Sequence, residues 1–163
     1  MNSEWVNIIA AFSALLSCFS TIILLITAFI LRSQVSEMRK ATYADAYKAA
    51  VDILQADDVR EARKIVFRYL TDKPLEQWNE EEKDIAEKVC STYDLVGLMV
   101  REGMLPEKFI VDGWGASLRK SWRILSPMIV SYRAQRNSLE LWDDYERLAK
   151  EAEKFHKPLY SSQ

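Results

Sequence analysis

The sequence predicts an all-α protein, with one N-terminal transmembrane helix followed by a cytoplasmic bundle of about five to six helices. Three observations lead to this prediction. The stretch from Trp5 to Leu31 contains no charged residue. Beyond it, apolar residues recur at spacings of three and four, which is the period of one helical face. No segment alternates apolar and polar residues as a half-buried strand does.

The apolar stretch is long enough to cross a bilayer. Val6 to Leu31 is 26 residues, and a helix of that length reaches roughly 39 Å, against about 30 Å for a hydrocarbon core. A signal peptide would carry Lys or Arg at its start and a small-x-small cleavage site at its end. The start Met-Asn-Ser-Glu-Trp and the end Ala-Phe-Ile-Leu-Arg have neither feature, so we expect an uncleaved anchor over residues 1–31.

The distribution of charge predicts the orientation of this anchor. All 22 Lys and Arg follow the apolar stretch, beginning with Arg32. Because basic flanking residues stay on the cytoplasmic side, we expect the N-terminus outside and a helical domain over residues 32–156 in the cytoplasm. Residues 157–163 are expected to form a short polar tail.

One side of the predicted membrane helix carries small residues. At 100° per residue they are Ala10, Ser13, Ala14, Ser17, Thr21 and Ala28. Small residues let membrane helices approach closely, and their hydroxyls can hydrogen-bond across the contact. We expect this face to bind a second copy or a partner helix. The alternative is that Ser and Thr are simply tolerated in membrane helices.

The first half of the cytoplasmic domain is divided by breakers and caps. The first proline is Pro74, so the membrane helix is expected to continue to about residue 53. Asp57 predicts the cap of a second helix that ends near residue 70, and residues 71–78 are expected to form a loop. Asn79 with Glu82 indicates a capping box. It opens a core helix over residues 80–102 that is apolar nearly all round and ends at Gly103.

The second half is expected to contain three more helices. Pro106 suits the first turn of a helix that ends near residue 125, and Ser126-Pro127 would start another that ends near residue 136. Asn137 or Ser138 would cap the last helix, whose apolar face comprises Leu141, Tyr145, Leu148, Ala152 and Phe155. Gly113 and Gly115 inside a helix indicate close packing, which we expect against the stretch around Gly97.

Asp94 is the most unusual polar residue, because it lies in the most apolar part of the predicted core helix. A buried carboxylate needs a partner, and the following helices offer Arg119, Arg123, Arg133 and Arg136. We expect an ion pair that fixes how these helices dock. The alternative is a polar pocket for a charged ligand.

Catalysis and metal binding have little support in the sequence. His156 is the only histidine and has no second His or Cys cluster beside it, and Cys90 has no base nearby in sequence. The acidic runs 80–82 and 143–144 are expected to be a helix start and a solvated face. No phosphate-binding loop or hydrolase motif is present. We therefore expect no enzymatic activity, no cofactor and no metal.

Three motifs are distinctive: V-C-S-T-Y-D-L-V-G-L-M-V-R-E-G-M-L-P-E-K-F at 89–109, W-G-A-S-L-R-K-S-W at 114–122 and Y-R-A-Q-R at 132–136. Together with the N-terminal anchor they resemble a bacterial family of short membrane-anchored proteins known only as a domain of unknown function. The resemblance implies a helical fold and an inner-membrane location. It implies no activity and no catalytic residues.

These observations favour a non-enzymatic interaction module at the inner membrane. Its expected partners are the lipid bilayer and either a second copy or a membrane protein. Nucleic acid is not expected, because the chain beyond Leu31 is nearly neutral and phosphate backbones need a clustered basic surface. The alternatives are a small-molecule sensor or effector with a pocket around Asp94, and an accessory subunit of a membrane complex.

Overall fold

The computed structural model describes residues 3–155. Side chains are described from Leu16 onward, except those of Cys18, Ser36, Arg39 and Lys40. The α-helices are α1 (Ser3–Gln55), α2 (Asp57–Ile65), α3 (Glu80–Arg101), α4 (Glu107–Arg136) and α5 (Asp143–Lys154). A π-helical turn (Val66–Leu70) extends α2, and a 3-10 turn (Leu75–Gln77) precedes α3. No strand occurs in this range, so the all-α prediction is confirmed. His156 and the predicted tail at 157–163 lie outside it.

The chain divides into two compact units, Met1–Thr42 and Tyr43–Gln163. The first unit is the N-terminal part of α1, whose large apolar side chains from Leu16 to Leu31 are exposed. Along the helices whose residues the structure describes, no stretch is both long and apolar enough to span a membrane.

The second unit is a bundle in which α3 packs against α2, α4 and α5. The predicted core helix is thus confirmed. Its capping box is present: Asn79 Oδ1 accepts from the Glu82 N–H at 2.8 Å, and the Glu82 carboxylate accepts from the Asn79 N–H at 2.9 Å. At the other end Gly103 has φ +69°, and the Met104 N–H bonds the Met99 carbonyl at 2.9 Å. This pattern is a Schellman motif.

The start of α2 and the length of α4 differ from the sequence prediction. Asp57 is the first helical residue, and Ala56 takes the cap position without a side-chain bond. The helix break predicted at Ser126-Pro127 is wrong, because α4 continues through Pro127. Pro127 is exposed, so the carbonyl that loses its helical partner there can bond water. The adjacent Met128 and Ile129 are fully buried, and their packing keeps the helix intact.

The last helix begins later than predicted. Asn137 ends α4 in the left-handed conformation with φ 48°, and Ser138 also precedes α5, which begins at Asp143. Asn tolerates left-handed backbone and so serves as a helix end as readily as a helix start. Leu141 therefore lies outside α5, and Phe155 follows it with 66% of its surface exposed.

Candidate functional site

The Asp94 carboxylate of α3 lies at the N-terminus of α5. Its Oδ1 accepts a hydrogen bond from the Tyr145 N–H at 3.1 Å, one of the first-turn amides that have no partner within their own helix. Trp142, at the cap position of α5, supplies no side-chain acceptor. Asp94 therefore replaces the missing cap from another helix, and its negative charge complements the helix dipole.

Asp143 and Asp144 bring two more carboxylates to this corner. One oxygen from each of the three aspartates lies within 4.8 Å of the others. Burial raises the pKa of Asp94, the bond from the Tyr145 amide opposes this rise, and the charges of Asp144 and Asp143 add to it. The three side chains thus repel one another unless cations or amides compensate them.

Two arginines provide much of that compensation. Asp144 is only 4% exposed, so the prediction that it lies on a solvated face is wrong, whereas Asp143 is exposed. Arg101 Nη1 lies 2.8 Å from Asp144 Oδ2, and Arg147 Nη2 lies 3.6 Å from Asp144 Oδ1. Oxygen ligands of this type suit a hard cation. Here the buried carboxylate already has cationic partners, and the arrangement acts chiefly to dock α5 on α3.

The first two arginines predicted to pair with Asp94 bind the far end of α5 instead. Arg119 Nη1 donates to the Ala152 carbonyl at 2.9 Å, and its Nε lies 3.7 Å from Glu153. Arg123 Nη2 pairs with Glu153 at 3.2 Å. Arg119 therefore satisfies a carbonyl in the last turn of α5, where a cation suits the dipole.

The other two predicted arginines also contact other groups. Arg133 Nε donates to the Leu141 carbonyl at 2.9 Å, and its Nη1 pairs with Glu146 at 2.6 Å. Arg136 lies over the Tyr132 ring, 5.1 Å from its centroid. Charged contacts do fix how α4 and α5 dock, but the acids are on α5 rather than at Asp94.

Gly97 allows the close approach of α5, whereas a Cβ at Gly115 would make only ordinary van der Waals contacts. A Cβ on Gly97 would lie 2.6 Å from the Asp144 carbonyl oxygen, and one on Gly115 would lie 3.7 Å from the Ala152 Cβ. The predicted contact between the α4 glycines and the Gly97 stretch is not what the structure shows. Gly97 and Gly115 both face α5, while Gly113 faces open space.

A group of hydroxyls lies in the core between α3, α4 and α5. Tyr93 Oη and Ser117 Oγ are 2.6 Å apart, and the Tyr145 hydroxyl donates to Ser121 Oγ at 2.7 Å. The two tyrosine rings stack with centroids 5.1 Å apart. Burial raises the pKa of both tyrosines, so both hydroxyls stay protonated and serve as structural hydrogen-bonding groups.

Arg63 is a buried cation that the sequence reasoning missed. It is 9% exposed, and its guanidinium lies beside the Tyr93 hydroxyl. Its Nη1 has no hydrogen-bond partner, and no carboxylate among the described residues pairs with it. Its spacing from Val59 and Val66 places it on the apolar face of α2. That spacing is the signal that could have identified it.

The comparisons with known proteins identify a family. A family model for a domain of unknown function, DUF4760, matches residues 8–152. No curated protein and no solved structure matches the chain. The match covers most of the chain, including the stretches whose motifs carry the resemblance noted from the sequence. The chain therefore belongs to the DUF4760 family, whose function is unknown.

Proposed function

We propose that the protein is a non-enzymatic interaction module that α1 anchors in the inner membrane of a bacterial cell. The observation that carries this proposal is the exposure of ten large apolar side chains between Leu16 and Leu31. Phe29 is 76% exposed and Leu24 is 69% exposed. A soluble protein rarely exposes so large a contiguous apolar surface, so these side chains need lipid or another helix around them.

The sequence also supports a membrane anchor in the N-terminal part of α1. The apolar run begins at Val6, upstream of the described side chains, and no charge interrupts it before Arg32. The basic residues that follow favour a cytoplasmic helical domain and an N-terminus outside.

Close helix packing is the proposed mode of association within the membrane. Of the small-residue face, Ser17, Thr21 and Ala28 are described and all three are exposed. The side chains of Ala10, Ser13 and Ala14 lie outside the described set. The Thr21 hydroxyl donates to the Ser17 carbonyl of its own helix at 2.9 Å. The small size of the residues on this face suits close approach of a second copy or a partner helix.

Support for a non-enzymatic role comes from how the core polar groups are used. Burial raises the pKa of the Cys90 thiol well above its ordinary value, and the charges of Glu87 and Asp94 add to this. A buried thiol of this kind is inert. In the alternative, a sensor with a pocket at Asp94, a ligand would share that carboxylate with the Tyr145 amide, which already binds its Oδ1.

Membrane association is tested with the full-length chain by alkaline carbonate extraction of membranes. The wild type should stay in the pellet, and Ile22→Lys with Ile26→Lys should move to the supernatant. Tyr69→Lys with Val130→Lys is the matched control, because these residues are similarly exposed but lie in the bundle. Extraction of the wild type, or equal behaviour of the two double variants, would contradict the anchor.

Association is tested by pull-down from membranes in mild detergent, followed by sizing and mass spectrometry. A homo-oligomer that Ala14→Leu with Ser17→Leu converts to a monomer would support self-association through the small face. A stoichiometric partner protein would support a hetero-complex and identify the process, including a role as an accessory subunit. A monomer without partners would contradict the interaction module.

A further inference from the structure

An open cleft in the bundle is lined by cations and by no acid. It lies between the π-helical end of α2 and the middle of α4 and has a volume of about 410 Å³. The residues that line it are Thr71, Ala116, Arg119, Lys120, Arg123 and Ile124. Three other clefts in the described part of the chain contain side chains of both signs. This cleft therefore has a charge bias that those three clefts do not share.

The basic side chains of the cleft are only partly neutralised. Arg119 and Arg123 share one carboxylate, Glu153, at 3.7 Å and 3.2 Å. Lys120 makes no ion pair within the described residues, and its ammonium lies 4.8 Å from the centroid of the Phe67 ring. Two of the three cations thus share a single acid, and Lys120 and Arg123 are both exposed to solvent.

Arg63 is a further basic residue that is linked to this cleft through neighbouring side chains. Its guanidinium lies beside the Tyr93 hydroxyl, and that hydroxyl bonds Ser117, the chain neighbour of the wall residue Ala116. Phe67, one helical turn after Arg63, supports Lys120. A buried guanidinium without a carboxylate is costly, so Arg63 leaves positive charge without an acidic partner in the described part of the bundle.

The local backbone also sets this region apart. The turn Val66–Leu70 is π-helical and leads directly into Thr71, and π-helical turns are frequent at functional sites. The Thr71 hydroxyl donates to the Phe67 carbonyl at 2.9 Å, which leaves its oxygen lone pairs as acceptors for a protonated ligand oxygen. Ala116 and Ile124 contribute an apolar surface beside the charges.

We propose that this cleft is a binding site for a phosphate-bearing anion. A phosphate group offers several acceptor oxygens and close to two negative charges. It can therefore contact the Lys120 ammonium and the Arg123 guanidinium at once, the guanidinium through two parallel bonds. The cleft volume lies within the range typical of small-ligand sites, about 300–1,000 Å³. The phosphate could belong to a free small molecule or to a lipid headgroup. The inference concerns the bundle and does not rest on the proposed membrane anchor.

The test is isothermal titration calorimetry of the full-length chain in a non-ionic detergent. One titrant is inorganic pyrophosphate, and the other is dihexanoyl phosphatidic acid. Dihexanoyl phosphatidylcholine is the reference lipid, because its headgroup is zwitterionic and carries no net charge. Lys120→Ala with Arg123→Ala should weaken binding at least about tenfold, because each removes a charge-assisted contact. Lys150→Ala with Lys154→Ala is the matched control, because it also removes two exposed basic residues, but from a cleft that contains acids.

The outcomes separate the two sources of phosphate. Binding of pyrophosphate that the Lys120/Arg123 pair weakens, and the control pair does not, supports a free phosphate ligand. Binding of phosphatidic acid alone, with the same dependence on Lys120 and Arg123, supports a lipid headgroup. The proposal would be overturned if neither pyrophosphate nor phosphatidic acid binds, or if the wild type and the Lys120/Arg123 variant bind with equal affinity.

Discussion

Replacing Asp94 with alanine should weaken the docking of α5 on α3. The substitution removes the acceptor for the Tyr145 N–H, and the Trp142 side chain at the cap position makes no capping hydrogen bond in its place. Loss of a capping acceptor costs about 1 kcal/mol, and an amide left without a partner adds to this. We therefore expect Asp94→Ala to lower the free energy of unfolding by about 1–2 kcal/mol.

Asp94→Asn is the matched control for this experiment. Asn keeps an oxygen acceptor and caps helices about as well as Asp, but it removes a negative charge beside Asp143 and Asp144. Burial and these two neighbouring charges raise the pKa of Asp94, so the folded state disfavours its ionised form. The Asn variant should therefore match or exceed the stability of the wild type at neutral pH.

The raised pKa of Asp94 also gives the sign of a pH effect. Between its ordinary value of 3.8 and its folded-state value, this carboxyl binds more protons in the folded protein than in the unfolded chain. The wild type then loses stability as pH rises through that window. Because Asn does not titrate, the stability of Asp94→Asn relative to wild type should increase over the same window and level off above it.

Hydrogen exchange of the full-length chain, resolved to peptides that cover residues 143–149, reports directly on α5. Asp94→Ala should accelerate exchange there, and Asp94→Asn should leave it close to wild type. Equal acceleration in both variants would show that the charge of Asp94 holds α5, as the ion-pair hypothesis requires. Unchanged exchange in Asp94→Ala would refute the capping role.

Two further predictions concern two helix glycines and the first turn of α3. A Cβ at Gly97 would meet Asp144 backbone atoms, so Gly97→Ala should lower the free energy of unfolding by about 1–3 kcal/mol. A Cβ at Gly113 would meet no atom within 4 Å, so Gly113→Ala should raise it by up to about 1 kcal/mol. Thermal unfolding measures both effects, and equal midpoints for the two variants would contradict the packing argument. The Lys73 ammonium and the Asn79 amide hold the pKa of Glu82 below its ordinary 4.5. The stability that this lowered pKa contributes is complete above pH 4.5 and is lost as the pH falls through the folded-state pKa. In Glu82→Gln the free energy of unfolding should therefore fall less steeply at acidic pH than in the wild type. The same dependence on pH in both proteins would contradict this role of Glu82.

The start and the end of α3 could be predicted from the sequence, because both depend on residues that are close together in the chain. The Asn79–Glu82 box joins positions three apart, and Gly103 ends the helix through bonds to the preceding turn. The partner of Asp94 could not be found in this way, because Tyr145 is 51 positions away. Four arginines were plausible partners on charge alone, whereas the amide that binds Asp94 has no sequence signature.

The incorrect boundaries have a related cause. Pro127 is compatible with either the start or the interior of a helix, and Asn137 with either a helix start or a helix end. Packing decides which of these occurs. Full burial of Met128 and Ile129 keeps α4 continuous through the proline. With α4 extended to Arg136, the asparagine becomes a helix end, and α5 can begin only after the turn that follows.

The two ends of α5 are held by opposite charges from two other helices. Asp94 of α3 binds an amide at its N-terminus, and Arg119 of α4 binds the Ala152 carbonyl near its C-terminus, so each charge complements the dipole end that it meets. A helix of 12 residues is marginal alone and depends on these contacts. Arg119 also lines the cationic cleft. An anion bound there would compete with Ala152 and Glu153 for one guanidinium, which couples occupancy of the cleft to the docking of α5.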